Sequence, residues 1–141
     1  MITWTTYGSW LQGDERGYVK DSKTLMQNNK LKMANIGLQK YPSVKLNQQQ
    51  KQIAERAIIE ESERINQRLF AIAVCSNHVH IVASVSKESI EQVVHRYKYS
   101  ATSALHESGM QGKIWSKGFD KRFCFTDFDL QTRIKYVQSH A

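Results

Sequence analysis

The sequence predicts an α+β fold of the ferredoxin-like, split β-α-β type, with one antiparallel central sheet and helices packed on it. Three observations carry this expectation. Apolar residues recur at helical spacing in three segments, apolar and polar residues alternate through the run Cys75 to Val85, and the chain opens in a β-rich run that ends at Gly8. Read in order, the elements are strand, long loop, helix, strand, strand, helix, strand, helix. At 141 residues the chain is expected to form a single domain, residues 1–141, long enough to bury a core and too short to divide.

Ile2 to Tyr7 is rich in Ile, Thr and aromatic residues, the types that pack well on a pleated surface, and predicts an inner strand. Between Trp10 and Leu46 comes a polar segment with Gly13, Gly17, Gly37 and the only proline, Pro42, together with Lys20, Lys23, Lys30, Lys32, Lys40 and Lys45. It reads as a long basic loop near 12–46 with some local helix, either a nucleic-acid contact or a solvated excursion. Asn47 to Gln67 places Ile53, Ala54, Ala57, Ile58 and Ile65 on one stripe and predicts an amphipathic helix. Leu69 to Cys75 predicts a strand, and Ser76-Asn77 a tight turn that makes a hairpin with the next strand.

The following helix has the apolar set Ile90, Val93, Val94, Tyr97, Ala101, Ala104 and Leu105, with His95, Arg96 and Lys98 off that stripe, and ends at Gly109 and Gly112. Ile114-Trp115 and Arg122 to Thr126 are expected to be extended. The last helix, capped by Thr126 or Asp127, sets Leu130, Ile134 and Val137 on one stripe and Arg133, Tyr136 and His140 on the next. The helices are expected on one face of the sheet. No internal repeat or low-complexity tract is visible.

Composition narrows the partner. Twenty Lys and Arg against 13 Asp and Glu give a formal charge of +7 and a pI near 9.5, which points to a polyanion and foremost to nucleic acid. Cys75 and Cys124 form no Cys-x-x-Cys, so reduced thiols are expected and a zinc-thiolate site is not. The longest apolar stretch, near Leu69 to Cys75, is too short to span a bilayer, and the opening residues lack a secretory pattern. A cytoplasmic protein with no membrane partner is the expectation.

The most informative motif is His78-Val79-His80. Along this run Val79, Ile81, Ala83 and Val85 point one way and His78, His80, Val82 and Ser84 the other. Both imidazoles leave one face roughly 6.6 Å apart along the strand, so they can share a cation or be merely hydrogen-bonded strand histidines. Two neutral imidazoles leave a divalent ion coordinatively open, as a catalytic site requires. Tyr136 and His140 lie one turn apart on the last helix. If that helix docks across the sheet, His140 completes the ligand set and Tyr136 becomes a nucleophile; otherwise Tyr136 is an ordinary amphipathic tyrosine and His140 a solvated residue. A phenol pKa near 10 means that attack near neutrality needs a cation or base nearby, with Lys135 and the metal as sources. Attack on a phosphodiester would release a 3′-hydroxyl, leave the 5′-phosphate on Tyr136, and allow rejoining without a nucleotide cofactor.

Four segments together resemble the single-tyrosine HUH transposases, especially their REP-associated members: 3–17 (Thr-Trp-Thr-Thr-Tyr-Gly-Ser-Trp-Leu-Gln-Gly-Asp-Glu-Arg-Gly), Asn77-His78-Val79-His80, Ile114-Trp115-Ser116 and Tyr136-Val137. They span nearly the whole chain. The resemblance implies a ferredoxin-like fold, His78 and His80 as ligands for Mg²⁺ or Mn²⁺, and His140 at the position of the family's third, polar ligand. It also implies Tyr136 as the single nucleophile on single-stranded DNA, hairpin recognition and possible homodimerisation. Where family members commonly continue with an Asn-Pro turn, this chain reads Gln138-Ser139-His140-Ala141, and its helix end is expected to fray.

The function expected is therefore a metal-dependent single-stranded DNA endonuclease and strand transferase acting through a 5′-phosphotyrosine. The alternatives are a non-catalytic nucleic-acid-binding module of the same fold and a phosphoesterase that uses water. Arg96, Lys98, Lys117, Lys121 and Arg122 are candidates for DNA contacts, and Trp115 for base stacking or core packing. Asp14, Glu15 and Arg16 serve the site, DNA, or only a turn.

Overall fold

The computed structural model describes residues 1–9 and 43–141. Most of the predicted basic loop, its lysines other than Lys45, and Asp14, Glu15 and Arg16 lie outside the described residues. The described strands are β1 (Ile2–Thr5), β2 (Leu69–Val74), β3 (His78–Ala83) and β4 (Asp120–Lys121). The described helices are α1 (Gln48–Arg64), α2 (Ile90–Glu107) and α3 (Asp127–Gln138). The strands form one sheet in the order β2-β3-β1-β4, and every neighbouring pair is antiparallel. This is an α+β architecture with the expected order of elements.

Local chemistry explains where the elements begin and end. Asn47 and Gln50 form a reciprocal capping box at α1, with N···O distances of 2.8 and 2.9 Å. Ser89 caps α2, and of the two candidates for α3 it is Thr126 that accepts from the Asp129 amide, at 3.1 Å. The hairpin is as expected, closed by the Cys75 amide donating to the His78 carbonyl at 2.8 Å.

Trp4, Ile58, Val79, Ile81, Val93, Tyr97 and Leu105 are among the fully buried residues between the sheet and α1 and α2. Glu61 is buried there too, where it pairs with Arg64, lies 3.8 Å from Arg96 and accepts from Ser100 at 3.1 Å. A charge left alone at that position would be costly, so these partners tie α1 to α2.

The helices do not share one face, contrary to the sequence expectation. α1 and α2 cover one side, while α3 lies on the other through Val137, Leu130 and Ile134, packed against Ala71, Ala73 and Val82. The sheet is apolar on both sides over part of its width. A register shift between Leu69 and Ala71 inverts the alternation along β2, so Leu69 joins the first core and Phe70 the second. Small alanines at the second face let α3 approach closely.

The last strand does not fall on the run Arg122 to Thr126: β4 ends before it, and that run lies outside the sheet. β4 pairs Lys121 with Ile2 and Asp120 with Thr3, and Trp115 contributes a single bridge to Thr6. Phe123 and Phe125 stay largely exposed, and Val85 lies beyond β3 in solvent. No helix among the described residues is long and apolar enough to cross a membrane.

Candidate metal and nucleophile centre

The β1–β3 register sets Thr3 beside His80 and Thr5 beside His78, with both histidines on the face that carries α3. Burial of Val137 against Ala71, Ala73 and Val82 then fixes the rotation of α3. Tyr136 and His140, on the adjoining stripe, arrive at the histidine pair. Ring centroids are 4.6 Å apart for His78 and His80, 5.0 Å for His80 and His140, and 6.0 Å for His78 and His140. The three potential ligand nitrogens lie within 4.8 Å of one another, close enough to share a cation. The Tyr136 ring sits 5.4 Å from His80 and 4.5 Å from His140.

Each imidazole has its Nδ1 engaged by an oxygen. His78 Nδ1 lies 2.7 Å from Asn77 Oδ1, His80 Nδ1 2.8 Å from Thr3 Oγ1, and His140 Nδ1 2.8 Å from the Tyr136 carbonyl oxygen. Carbonyl oxygens only accept, so His78 and His140 carry their hydrogen on Nδ1 and keep a bare Nε2. Burial, and then the charge of His140, lowers the His78 pKa. Burial, with His78 and His140 adding to it, pushes the His80 pKa down to about 4. Both rings are neutral near pH 7, the form that binds a metal. The donor set therefore fits a divalent ion.

His140 sits in a hydrogen-bonded turn that follows α3. Its amide donates to the Val137 carbonyl at 3.0 Å, the Ala141 amide donates to Gln138 at 3.2 Å, and the Cys75 thiol donates to the His140 carbonyl at 3.5 Å. The site stays open on this side, because His140 is exposed and Tyr136 is 41% exposed.

The other candidates are not gathered here. Trp115 is buried, packs edge-on against Trp4 at 5.9 Å and donates from Nε1 to the Lys98 carbonyl at 3.2 Å, so its ring offers no open platform. Lys98 Nζ donates to the carbonyls of Ser116 and Gly118 at 3.1 and 2.7 Å, and burial, then Lys113, lowers its pKa. Arg96 is held by Glu88 and Glu61, Lys121 by Glu91 at 3.3 Å and Arg122 by Asp120 at 3.2 Å. Arg96 and Lys98 also belong to α2, which covers the sheet face opposite the histidines. Lys117 is exposed, with no ion pair among the described residues. Sequence reasoning missed Thr3 and Asn77 as partners of the imidazoles. Asn77 stands next to His78 in the sequence, whereas Thr3 becomes visible only through strand pairing.

Residues 27–140 match the family described as IS200-like transposase. No curated protein gives a significant match. Among solved structures, a REP-associated tyrosine transposase bound to a REP hairpin is similar with a TM-score of 0.58 and 14% identity, over 96% of this chain and 61% of that one. The present chain thus spans about three fifths of that protein. A structure from Deinococcus radiodurans R1, described as that of a transposase, is similar with a TM-score of 0.50 and 11% identity, over 99% of this chain and 87% of the other. At these identities the likeness is one of fold. The family match covers about four fifths of the sequence and includes both the histidine strand and the Tyr136 helix, so the chain belongs to the IS200-like transposase family.

Proposed function

We propose that the protein is a metal-dependent single-stranded DNA endonuclease and strand transferase in which Tyr136 is the nucleophile. The observation that carries this reading is the Tyr136 ring set against two of three imidazoles able to share one cation. His78, His80 and His140 would hold Mg²⁺ or Mn²⁺. Their nitrogen donors favour Mn²⁺, a transition ion, over Mg²⁺, which prefers oxygen and water. When bound, the ion would polarise a non-bridging phosphate oxygen and favour the phenolate over the phenol.

The donor set supports an anionic substrate. Three neutral imidazoles leave a dication's charge unmatched, and a phosphodiester supplies the missing negative charge. Tyr136 Oη loses its proton to the solvent that its exposure admits and attacks phosphorus in line. The P–O3′ bond breaks, the 3′-oxygen departs and takes up a proton as a hydroxyl, and the 5′-phosphate remains on Tyr136. Attack by another 3′-hydroxyl reverses the step and rejoins strands. The net charge of +7 suits a DNA partner, and the hairpin bound by the REP-associated neighbour suggests hairpin-bearing single strands acted on in the cytoplasm.

The test incubates the protein with hairpin-bearing single-stranded DNA and Mn²⁺, followed by denaturing electrophoresis. A DNA-linked band from the wild type and neither band nor cleavage from Tyr136→Phe is expected. Cleavage retained by Tyr136→Phe would assign hydrolysis by water. No cleavage by either protein in Mn²⁺ or Mg²⁺ would leave a binding module.

A further inference from the structure

We propose that Thr3 is a positioning residue for the metal centre: its hydroxyl oxygen accepts the Nδ1 hydrogen of His80 and thereby turns a bare Nε2 toward the shared cation site. This rests on the reading of His78, His80 and His140 as metal ligands. The 2.8 Å contact joins two side chains that are 5% and 7% exposed, so water does not substitute for either partner. It is set by the sheet itself, because Thr3 and His80 are directly paired across β1 and β3. The flanking Ile2 and Trp4 are buried on the opposite face and fix the β1 backbone, while the branched Thr3 side chain has few rotamers.

The three imidazoles differ in one respect. Asn77 Oδ1 and the Tyr136 carbonyl can only accept, so the tautomers of His78 and His140 are imposed. A threonine hydroxyl can donate or accept, and only its acceptor role leaves His80 Nε2 free for a metal. Thr3 is therefore the place where the state of the most buried of the three rings is decided. Groups that orient metal-bound histidines in this way typically alter affinity by about 10- to 100-fold when removed.

The experiment combines nitrogen-15 NMR of the histidine rings in metal-free protein with Mn²⁺ titration of wild type, Thr3→Val and Thr3→Ser. Thr3→Val keeps the branched shape and removes the hydroxyl. Expected are an Nδ1–H tautomer for His80 in the wild type, a shift toward Nε2–H in Thr3→Val with Mn²⁺ affinity about 10-fold or more weaker, and recovery of both in Thr3→Ser. The proposal is overturned if wild-type His80 carries its hydrogen on Nε2, or if Thr3→Val binds Mn²⁺ within twofold of the wild type. The wild-type spectrum decides the first point even if Thr3→Val fails to fold. An Nδ1–H His80 in a wild type that binds no Mn²⁺ would instead overturn the metal-centre reading, and the proposal with it, while the hydrogen bond itself stands.

Discussion

Acid should destabilise the metal-free protein through His80. In the folded chain this ring has its pKa lowered from the ordinary 6.5 to about 4, by burial first and then by His78 and His140. Between those values the unfolded chain binds more protons than the folded one, so stability rises with pH across the window. The contribution is fully present above about pH 6.5, declines as the pH falls, and levels off below about 4. At pH 5 the unfolded imidazole is about 97% protonated and the folded one about 9%, which corresponds to about 2 kcal/mol lost relative to pH 7.5. His78, also lowered, adds in the same direction.

Urea unfolding in the presence of a chelator, followed by the fluorescence of the buried Trp4 and Trp115, measures this at pH 7.5, 6.0 and 5.0. His80→Gln removes the titrating ring and leaves the carboxylates unchanged, so the difference between the two pH profiles isolates His80. The wild type should lose about 2 kcal/mol more than the variant. Superposable profiles would refute the claim that His80 is buried in a neutral state. Because only neutral imidazoles bind a metal, saturating Mn²⁺ should steepen the wild-type profile through the same window.

Val137→Ala, at a fully buried position that seats α3 on the sheet, should lower unfolding free energy by about 1–3 kcal/mol without changing the urea m-value. Lys98→Met should cost about 1–2 kcal/mol, because two carbonyls lose their donor, and leave the salt dependence of DNA binding unchanged. Lys117→Ala should do the reverse, with stability preserved and a log–log salt slope shallower by about 1 if that ammonium meets a phosphate. Urea denaturation and filter binding between 50 and 200 mM salt separate the two, and a flattened slope for Lys98→Met would show that its carbonyl contacts give way to DNA.

Much of the architecture was legible in sequence because its signals are local. The stripe in Asn47–Gln67, the alternation around His78-Val79-His80 and the Thr126 cap each depend on residues a few positions apart. The one-turn spacing of Tyr136 and His140 is local as well, and it pairs the proposed nucleophile with the proposed third ligand before any fold is known. Periodicity, however, records which side of an element is apolar and not what that side meets. Leu130, Ile134 and Val137 marked a buried stripe on α3, yet nothing in them distinguished the two sheet faces. The alanines that receive α3 are too small to give a strong pattern, and the register shift near Phe70 breaks the alternation that would have exposed the second face.

The charged candidates show the same divide. Arg96 and Lys98 fall off the apolar stripe of α2 and so resemble free surface cations, but their partners come from other parts of the chain: Glu61 and Glu88 for one, the carbonyls of Ser116 and Gly118 for the other. By itself the sequence determined the helices, the first three strands, the order of the elements and the choice of three histidines and one tyrosine as candidates, while it set the last strand too late in the chain. Only the tertiary structure decided that these four side chains meet, because α3 has to cross to the face that β3 presents. It also decided that Thr3 meets His80, since strand pairing joins residues 77 positions apart and no local pattern encodes that contact.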